Sequence, residues 1–479
     1  MNRRNFIQTT ALAGTATMLH LLLVMIFSWN EIHAGTITTN GGLKERITSN
    51  LPEDSCSVSR STPVKNHSIV FPDNPAQVIT VGGDGADVKG YTSRAIQIAV
   101  DALHRAGGGT VKILPGNYEI IAPVRLYSHI SLIGSGQASI LSKAKGTRTR
   151  FTVDAGYGEL QVTVEDPAGF TAGMGVQVYD SKNQDAWDVT TAVVTQVNGH
   201  VLHLDNYLIR DYESGREGTV SNACSVIAAV EAENITITNL AIEGNRETND
   251  LLNGCRGGGI YLHKVRGVRI EKVTVKNFNG DGISWQITEN VAVRDCEISG
   301  CLSGLHPGSG TLYTLVEGNH VSENTMDGLF VCWRVKNGIV RNNHFVRNGR
   351  FGICTGHMDT DMLFEENQIV SNGSDGVRFR HETKANAPHR SIFRNNTVEN
   401  NGSKGGGYGF SFNSPAEGVI LEGNIIRNTK GNSQKAAVLI DENGLPVTMK
   451  NNQVSGHAEG NIPVVKRHSP LPCFQKISP

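Results

Sequence analysis

The chain has 479 residues and a formal net charge of −1, with 54 glycines against 15 prolines. Apolar residues make up 38% and charged residues 19%, a thin supply for a helical globule and one suited to many short strands joined by turns. Without a basic excess or a charged block, nucleic acid and membrane surfaces drop out as partners.

The first 34 residues read as an export segment. Arg3 and Arg4, in NRRNFIQ, precede an apolar run from Ala11 to about Trp29, and Ile32-His33-Ala34 offers a small-residue cleavage site. The pattern resembles a bacterial twin-arginine signal, which implies export to the periplasm, the cell surface or the medium. The apolar run is long, so retention as an anchor stays open beside cleavage. With the signal removed, no membrane partner is expected. Residues 35–77 read as a linker.

A short helix comes next. Thr92 or Ser93 caps it, Ile96, Val100 and Leu103 share one face, and Gly107-Gly108-Gly109 breaks it. TVKILPGNYEI then starts a series of strands. Between about 146 and 223 the rhythm changes. LQVTVEDPAGFTAGMGVQVYD and TAVVTQVNGHVLHLD alternate like antiparallel hairpins, with Asn198-Gly199 as a turn. This β-rich insertion is expected either to wall a cleft or to act as a stabilising flap.

From about Leu240 the chain repeats. EGNHVSEN, RNNHFVRN, EENQIVSN, RNNTVENN and EGNIIRNT align two asparagine columns. One runs Asn319, Asn343, Asn367, Asn396, Asn424 and Asn452, and the other Asn324, Asn348, Asn372, Asn400 and Asn428. A glycine column precedes each phrase, at Gly282, Gly304, Gly328, Gly352, Gly376 and Gly409. Spacings of 24, 24, then 28 to 29 residues mean stacked units, and the alternating apolar pattern makes each unit a coil of strands. Stacked strands place equivalent residues about 4.8 Å apart, so the asparagines can bond up the stack.

The repeat and the stretch GDGADVKGYTSRAIQIAVDALHRAGGGTVKILPGNYEI, from Gly83, together resemble the pectate-lyase-like superfamily. The resemblance covers about residues 78–465 and implies an all-β right-handed parallel β-helix whose open end the helix closes. It also leaves a homo-oligomer open. The Pro-rich tail, 466–479, is expected to be loosely attached. The eight cysteines show no metal-binding spacing and read as small buried hydrophobes, with one or two disulfides given export.

In each rung the residue after the glycine is apolar and points inward, so the next points out. The outward positions and the turns after them gather His306, Trp333, Arg334, His357, Asp359, Asp361, Arg378, Arg380, His381 and Glu382 in four consecutive rungs. Those rungs span about 15 Å, the length of two or three sugar rings. His357, Asp359, Asp361, Glu382 and His306 are the acid-base candidates. Trp333 is the candidate stacking platform. Arg334, Arg378, Arg380 and His381 are candidates for an anionic ligand, Arg378 and Arg380 reading as exposed cations without matching acids. Upstream, the long loop in IEGNRETNDLLNGCRGGGIYLHK adds Arg246 and His263 as substrate contacts. Asp281 shares its place before the glycine with Asp327 and Asp375, which reads as turn structure and not as a site. Asp359 and Asp361 also have a calcium-like spacing, but a set of about six to eight oxygens is missing, so no cofactor is expected.

This inventory fits three functions. The first is β-elimination or C5-epimerisation of an acidic polysaccharide, which needs a cation on the carboxylate and a proton carrier. The second is glycoside hydrolysis by two carboxylates, about 5 Å or about 6.5–9.5 Å apart. The third is a non-catalytic carbohydrate-binding or surface module. The paired-aspartate motifs of polygalacturonase-like hydrolases and the calcium and arginine motifs of true pectate lyases are not recognisable, so the resemblance reaches no particular activity.

Overall fold

The structure is a computed structural model and describes residues 77–431 and 433–459, with the backbone of Val465–Arg467. The export segment, nearly all of the linker, the rest of the tail, and Cys56 and Cys473 lie outside the described residues. Among the described residues no helix is long and apolar enough to cross a membrane.

Three parallel sheets wind around one core. Sheet A has 13 strands, and sheets B and C have 11 each. Each rung crosses sheet C, turns into sheet A, bends sharply into sheet B and returns. The rung from Ile353 shows the order, with strands Ile353–Thr355, Leu363–Glu365 and Gln368–Val370. Helix α1 (Ser93–Arg105) covers the first rungs with Ala95, Ile96, Ala99, Val100 and Leu103 buried. Thr92 is its cap, its side-chain oxygen accepting from the Ala95 N–H at 3.2 Å.

The first asparagine column is a continuous ladder inside the A–B bend. Nδ2 of Asn319, Asn343, Asn367, Asn396 and Asn424 each donates to Oδ1 of the next asparagine at 2.9 Å, ending on Asn452. The bend needs a left-handed residue just before each ladder asparagine. Gly318, Asn342, Asn395, Gly423 and Asn451 fill that place with residues that tolerate it, and Glu366 is the exception. This explains the recurring Gly-Asn and Asn-Asn pairs.

The second ladder differs from the sequence expectation at two positions, with Asn401 in place of Asn400 and Gln434 in place of Asn428. It runs Asn324, Asn348, Asn372, Asn401 and then Gln434, bonded at 2.9, 3.0, 2.9 and 3.0 Å. The two ladders stay five residues apart as far as Asn396 and Asn401, and in VENN that spacing selects Asn401 over Asn400. Asn400 instead caps the next turn, its Oδ1 accepting from the Thr429 N–H at 2.7 Å. The glycine column lies against this ladder. A Cβ on Gly352 would fall 2.8 Å from both Asn372 Nδ2 and the Gly376 carbonyl, so the constraint is space and not backbone conformation.

The insertion is a six-stranded antiparallel sheet from Arg148 to Ser221 with its own core, including Phe151, Val176, Leu202 and Tyr212. It docks on the long loop before sheet C. Tyr179 OH donates to Asp250 at 3.0 Å, and Gln177 Nε2 to the Leu251 carbonyl at 3.0 Å. The six described cysteines are free thiols, so no disulfide forms among them.

Candidate functional site

The turn that follows sheet C carries the exposed part of the strip. His357 lies on that turn, with Nδ1 3.1 Å from Oε2 of Glu382, which occupies the corresponding turn one rung on. One rung back, the Trp333 indole sits 4.6 Å, centre to centre, from the His357 imidazole and remains 41% exposed. The Arg334 N–H donates to the His357 carbonyl at 2.8 Å, which ties the two turns together. Arg334 and His381 are exposed, and His357 and Glu382 are partly so.

Beneath this surface the outward positions are closed. Arg380 lies across Gly356, where a Cβ would come within 2.5 Å of Nε. Its Nη1 donates to the Val331 carbonyl at 2.9 Å, its Nη2 reaches Asp359 at 3.4 Å, and its guanidinium carbon sits 5.0 Å from the centre of the Phe330 ring. Asp359 is fully buried and also accepts the Gly356 and Val335 N–H groups at 2.8 and 3.1 Å. Its burial raises its pKa, and Arg380 and these amides offset that only in part. Arg378 has an acid as well, its Nη1 donating to Asp375 at 3.1 Å and to Ser411 at 3.0 Å. The expected pair of exposed, unmatched cations is therefore corrected. Both arginines have matching acids, because each reaches a carboxylate that burial had already placed.

Asp361 points elsewhere. Arg390 grips it with two bonds of 2.7 and 2.8 Å, and these hold its carboxyl below the ordinary range. Asp359 and Asp361 thus diverge, and among the described residues no cluster of three or more His, Cys, Asp or Glu is placed to hold a metal ion. Arg246 is spent on the Gly300 and Cys301 carbonyls at 2.9 and 3.2 Å, clipping the long loop to a neighbouring turn.

His306 is buried, with Nδ1 2.6 Å from Asp281 Oδ2 and Nε2 3.3 Å from the Cys332 carbonyl. Asp281 does the turn work its repeated position implies, accepting the Ser303 N–H at 3.2 Å, as Asp327 and Asp375 do for Phe351 and Tyr408. In each case the aspartate also holds a basic side chain: His306, Arg350 or Arg378. His263 lies 5.5 Å from Trp187 of the insertion and 6.3 Å from Tyr261, ring to ring. Burial, then Lys264 and Arg256, push its pKa down to about 4, so it is neutral at ordinary pH. Burial pushes the thiols of Cys255 and Cys354 up to about 12 and about 11, which leaves no thiolate to act as a nucleophile.

The structure therefore brings His357, Glu382, Trp333 and Arg334 together, with Arg380 and Asp359 packed below as support. A hollow of about 710 Å³ lined by residues such as Arg347, Lys404 and Lys430 lies over the turn between sheets B and C and shares none of the sequence candidates. Trp187 and Phe330 were not among the site residues the sequence singled out. The first stands in the insertion, outside any rung register; the second falls in the outward column with His306 and Arg378, but nothing in its residue type marks it as the ring under Arg380.

Residues 225–387 match the family described as right handed beta helix region. The fold is a right-handed parallel β-helix. The A-module of mannuronan C-5 epimerase from Azotobacter vinelandii is similar to this β-helix with a TM-score of 0.55 and 18% identity, over 78% of this chain and 87% of that one. Polygalacturonase from Erwinia carotovora ssp. carotovora gives a TM-score of 0.51 and 12% identity, over 84% and 99%. Identities this low speak for the fold alone. Among curated protein sequences nothing matches.

Proposed function

We propose that this β-helix acts on an acidic polysaccharide by moving a proton at the carbon next to a uronate carboxylate, in β-elimination or C5-epimerisation. The observation that carries the reading is the His357–Glu382 pair opening beside the exposed Trp333. Trp333 stacks a sugar ring. Arg334, on the same turn as Trp333, meets the carboxylate and stabilises the negative charge that develops as the carbon loses its proton. His357 takes that proton, and Glu382 fixes the ring orientation and supports the imidazolium that forms. In elimination the bond to the neighbouring glycosidic oxygen then breaks, and a proton goes to that oxygen. In epimerisation a proton returns to the carbon from the opposite face. The mannuronan C-5 epimerase module and the polygalacturonase among the similar folds agree with a polysaccharide substrate. Hydrolysis is the weaker reading, because it needs two carboxylates facing the same bond. Asp359 is buried on Arg380, and Asp361 is held by Arg390.

The test is the full chain incubated with a panel of uronate polysaccharides. Ultraviolet absorbance of unsaturated ends marks elimination, and an altered epimer ratio by NMR without that absorbance marks epimerisation. New reducing ends with neither signal would make it a hydrolase. Binding without any conversion would make it a carbohydrate-binding module and sink the catalytic reading.

A further inference from the structure

The insertion places a second tryptophan on the same side of the molecule. Arg256 anchors Trp187, its Nη2 and Nε donating to the Trp187 carbonyl at 2.6 and 3.1 Å. The same guanidinium lies 5.2 Å from the centre of the indole, and the His263 ring approaches at 5.5 Å. Tyr261 completes the support, its OH bonded to the Cys255 carbonyl at 2.7 Å. The indole is thus set by three parts of the fold, the insertion, the long loop and sheet C, and it stays partly exposed. Preorganised aromatic faces of this kind bind a ring with little ordering cost.

Register relates it to Trp333. His263 pairs with Gln286, and Gln286 with Gly308, and the following rung ends in Trp333. Three steps of about 4.8 Å put the rung of His263, against which Trp187 packs, about 14 Å from the Trp333 rung along the stack, the length of about three sugar rings. Between them Gly308 has no side chain, and the Gln286 amide lies over it. Gln286 Oε1 lies 2.3 Å from where its Cβ would be, and that oxygen is a buried acceptor without a donor. His263 is neutral at ordinary pH, so it adds an apolar edge and not a charge beside Trp187.

We propose that Trp187 is a second sugar platform, and that the strip holds a linear acidic polysaccharide of about four units or more, stacked at one end on Trp187 and at the other on Trp333. This rests on the proposed function above and assigns the insertion a binding role. The experiment measures binding and KM for oligogalacturonates and oligomannuronates of about two to six units, with the wild-type chain, Trp187→Ala and Trp187→Phe. In the wild type, affinity climbs with length until both platforms are spanned. In Trp187→Ala that climb disappears, costing about tenfold on the longest oligomer, and Trp187→Phe restores most of it. Equal length profiles in wild type and Trp187→Ala would overturn this proposal alone and leave the proposed function standing. A wild-type chain that neither binds nor converts any oligouronate would overturn both. A fall in Trp187→Phe equal to that in Trp187→Ala would also overturn it, since stacking would then not be what Trp187 supplies.

Discussion

His357 and Glu382 stand 25 residues apart in sequence yet meet at 3.1 Å, because the turn of one rung lies on the turn of the next. A carboxylate at one ring nitrogen leaves the other directed away from it, which is the arrangement a proton carrier needs. Trp333, one rung back, gives the imidazole an aromatic wall.

His357→Ala removes the proton carrier and is expected to lower kcat by about 10²–10⁴-fold on the uronate polymer identified by the panel. His357 is partly exposed, so the melting temperature should move little. Glu382→Gln keeps a hydrogen-bonding group and should cost less, in kcat more than in KM. Steady-state kinetics with a thermal melt checks both. Full turnover in His357→Ala would remove it from the mechanism.

Arg380 and Asp359 support the strip from below. Arg380→Met strands a buried carboxylate and should cost about 3–5 kcal/mol of unfolding free energy. Asp359→Asn strands the cation and should cost a similar amount. The double variant should recover a good part of either loss, since it buries no unpaired charge. Denaturant titration of the four proteins tests this, and strict additivity would show that the 3.4 Å contact carries no coupling.

The fold was legible because its strongest constraints recur. A bend that needs a left-handed residue and then a ladder asparagine writes Gly-Asn or Asn-Asn into the chain at every ladder position except Glu366-Asn367. The candidate strip was legible only as a list of outward positions. Which side chains stay at the surface depends on reach between rungs, and spacing does not carry that. Arg380 is buried because Gly356, one rung earlier, has no side chain to hold it up. Asp361 leaves the strip because Arg390, on an unusually long turn, captures it. The turn reading of Asp281 was half of its role, since a carboxylate has a second oxygen and His306 takes it. Trp187 was invisible because the insertion shares no register with the rungs.

The first ladder predicts an unequal cost along its length. Asn343→Ala leaves Asn319 Nδ2 and the Asn319 N–H without their acceptor and the Val316 carbonyl without its donor, all of them buried. At about 1–3 kcal/mol per stranded group, the loss should exceed about 3 kcal/mol. Asn452, at the end of the ladder and only partly buried, should cost about 1 kcal/mol when changed to Ala, because water reaches the groups it leaves. Denaturation midpoints of the two variants give the comparison, and equal losses would contradict the ladder as a buried device.

His263 makes stability depend on acidity. Its pKa falls from 6.5 in the unfolded chain to about 4 in the fold, from burial first and then from Lys264 and Arg256, against a smaller opposing pull from Glu231. Between those values the unfolded chain binds the proton and the folded one does not. The contribution of this group is therefore complete above about pH 6.5 and is lost as pH falls toward 4. His263→Asn removes the titration, so its melting temperature should decline less than that of the wild type over that interval. Because the ring packs against Trp187, tryptophan fluorescence of the folded wild type should stay level over that interval and change only as pH falls through about 4, a change that Trp187→Phe abolishes. Parallel melting curves for wild type and His263→Asn across the interval would show that the imidazole is not held neutral there.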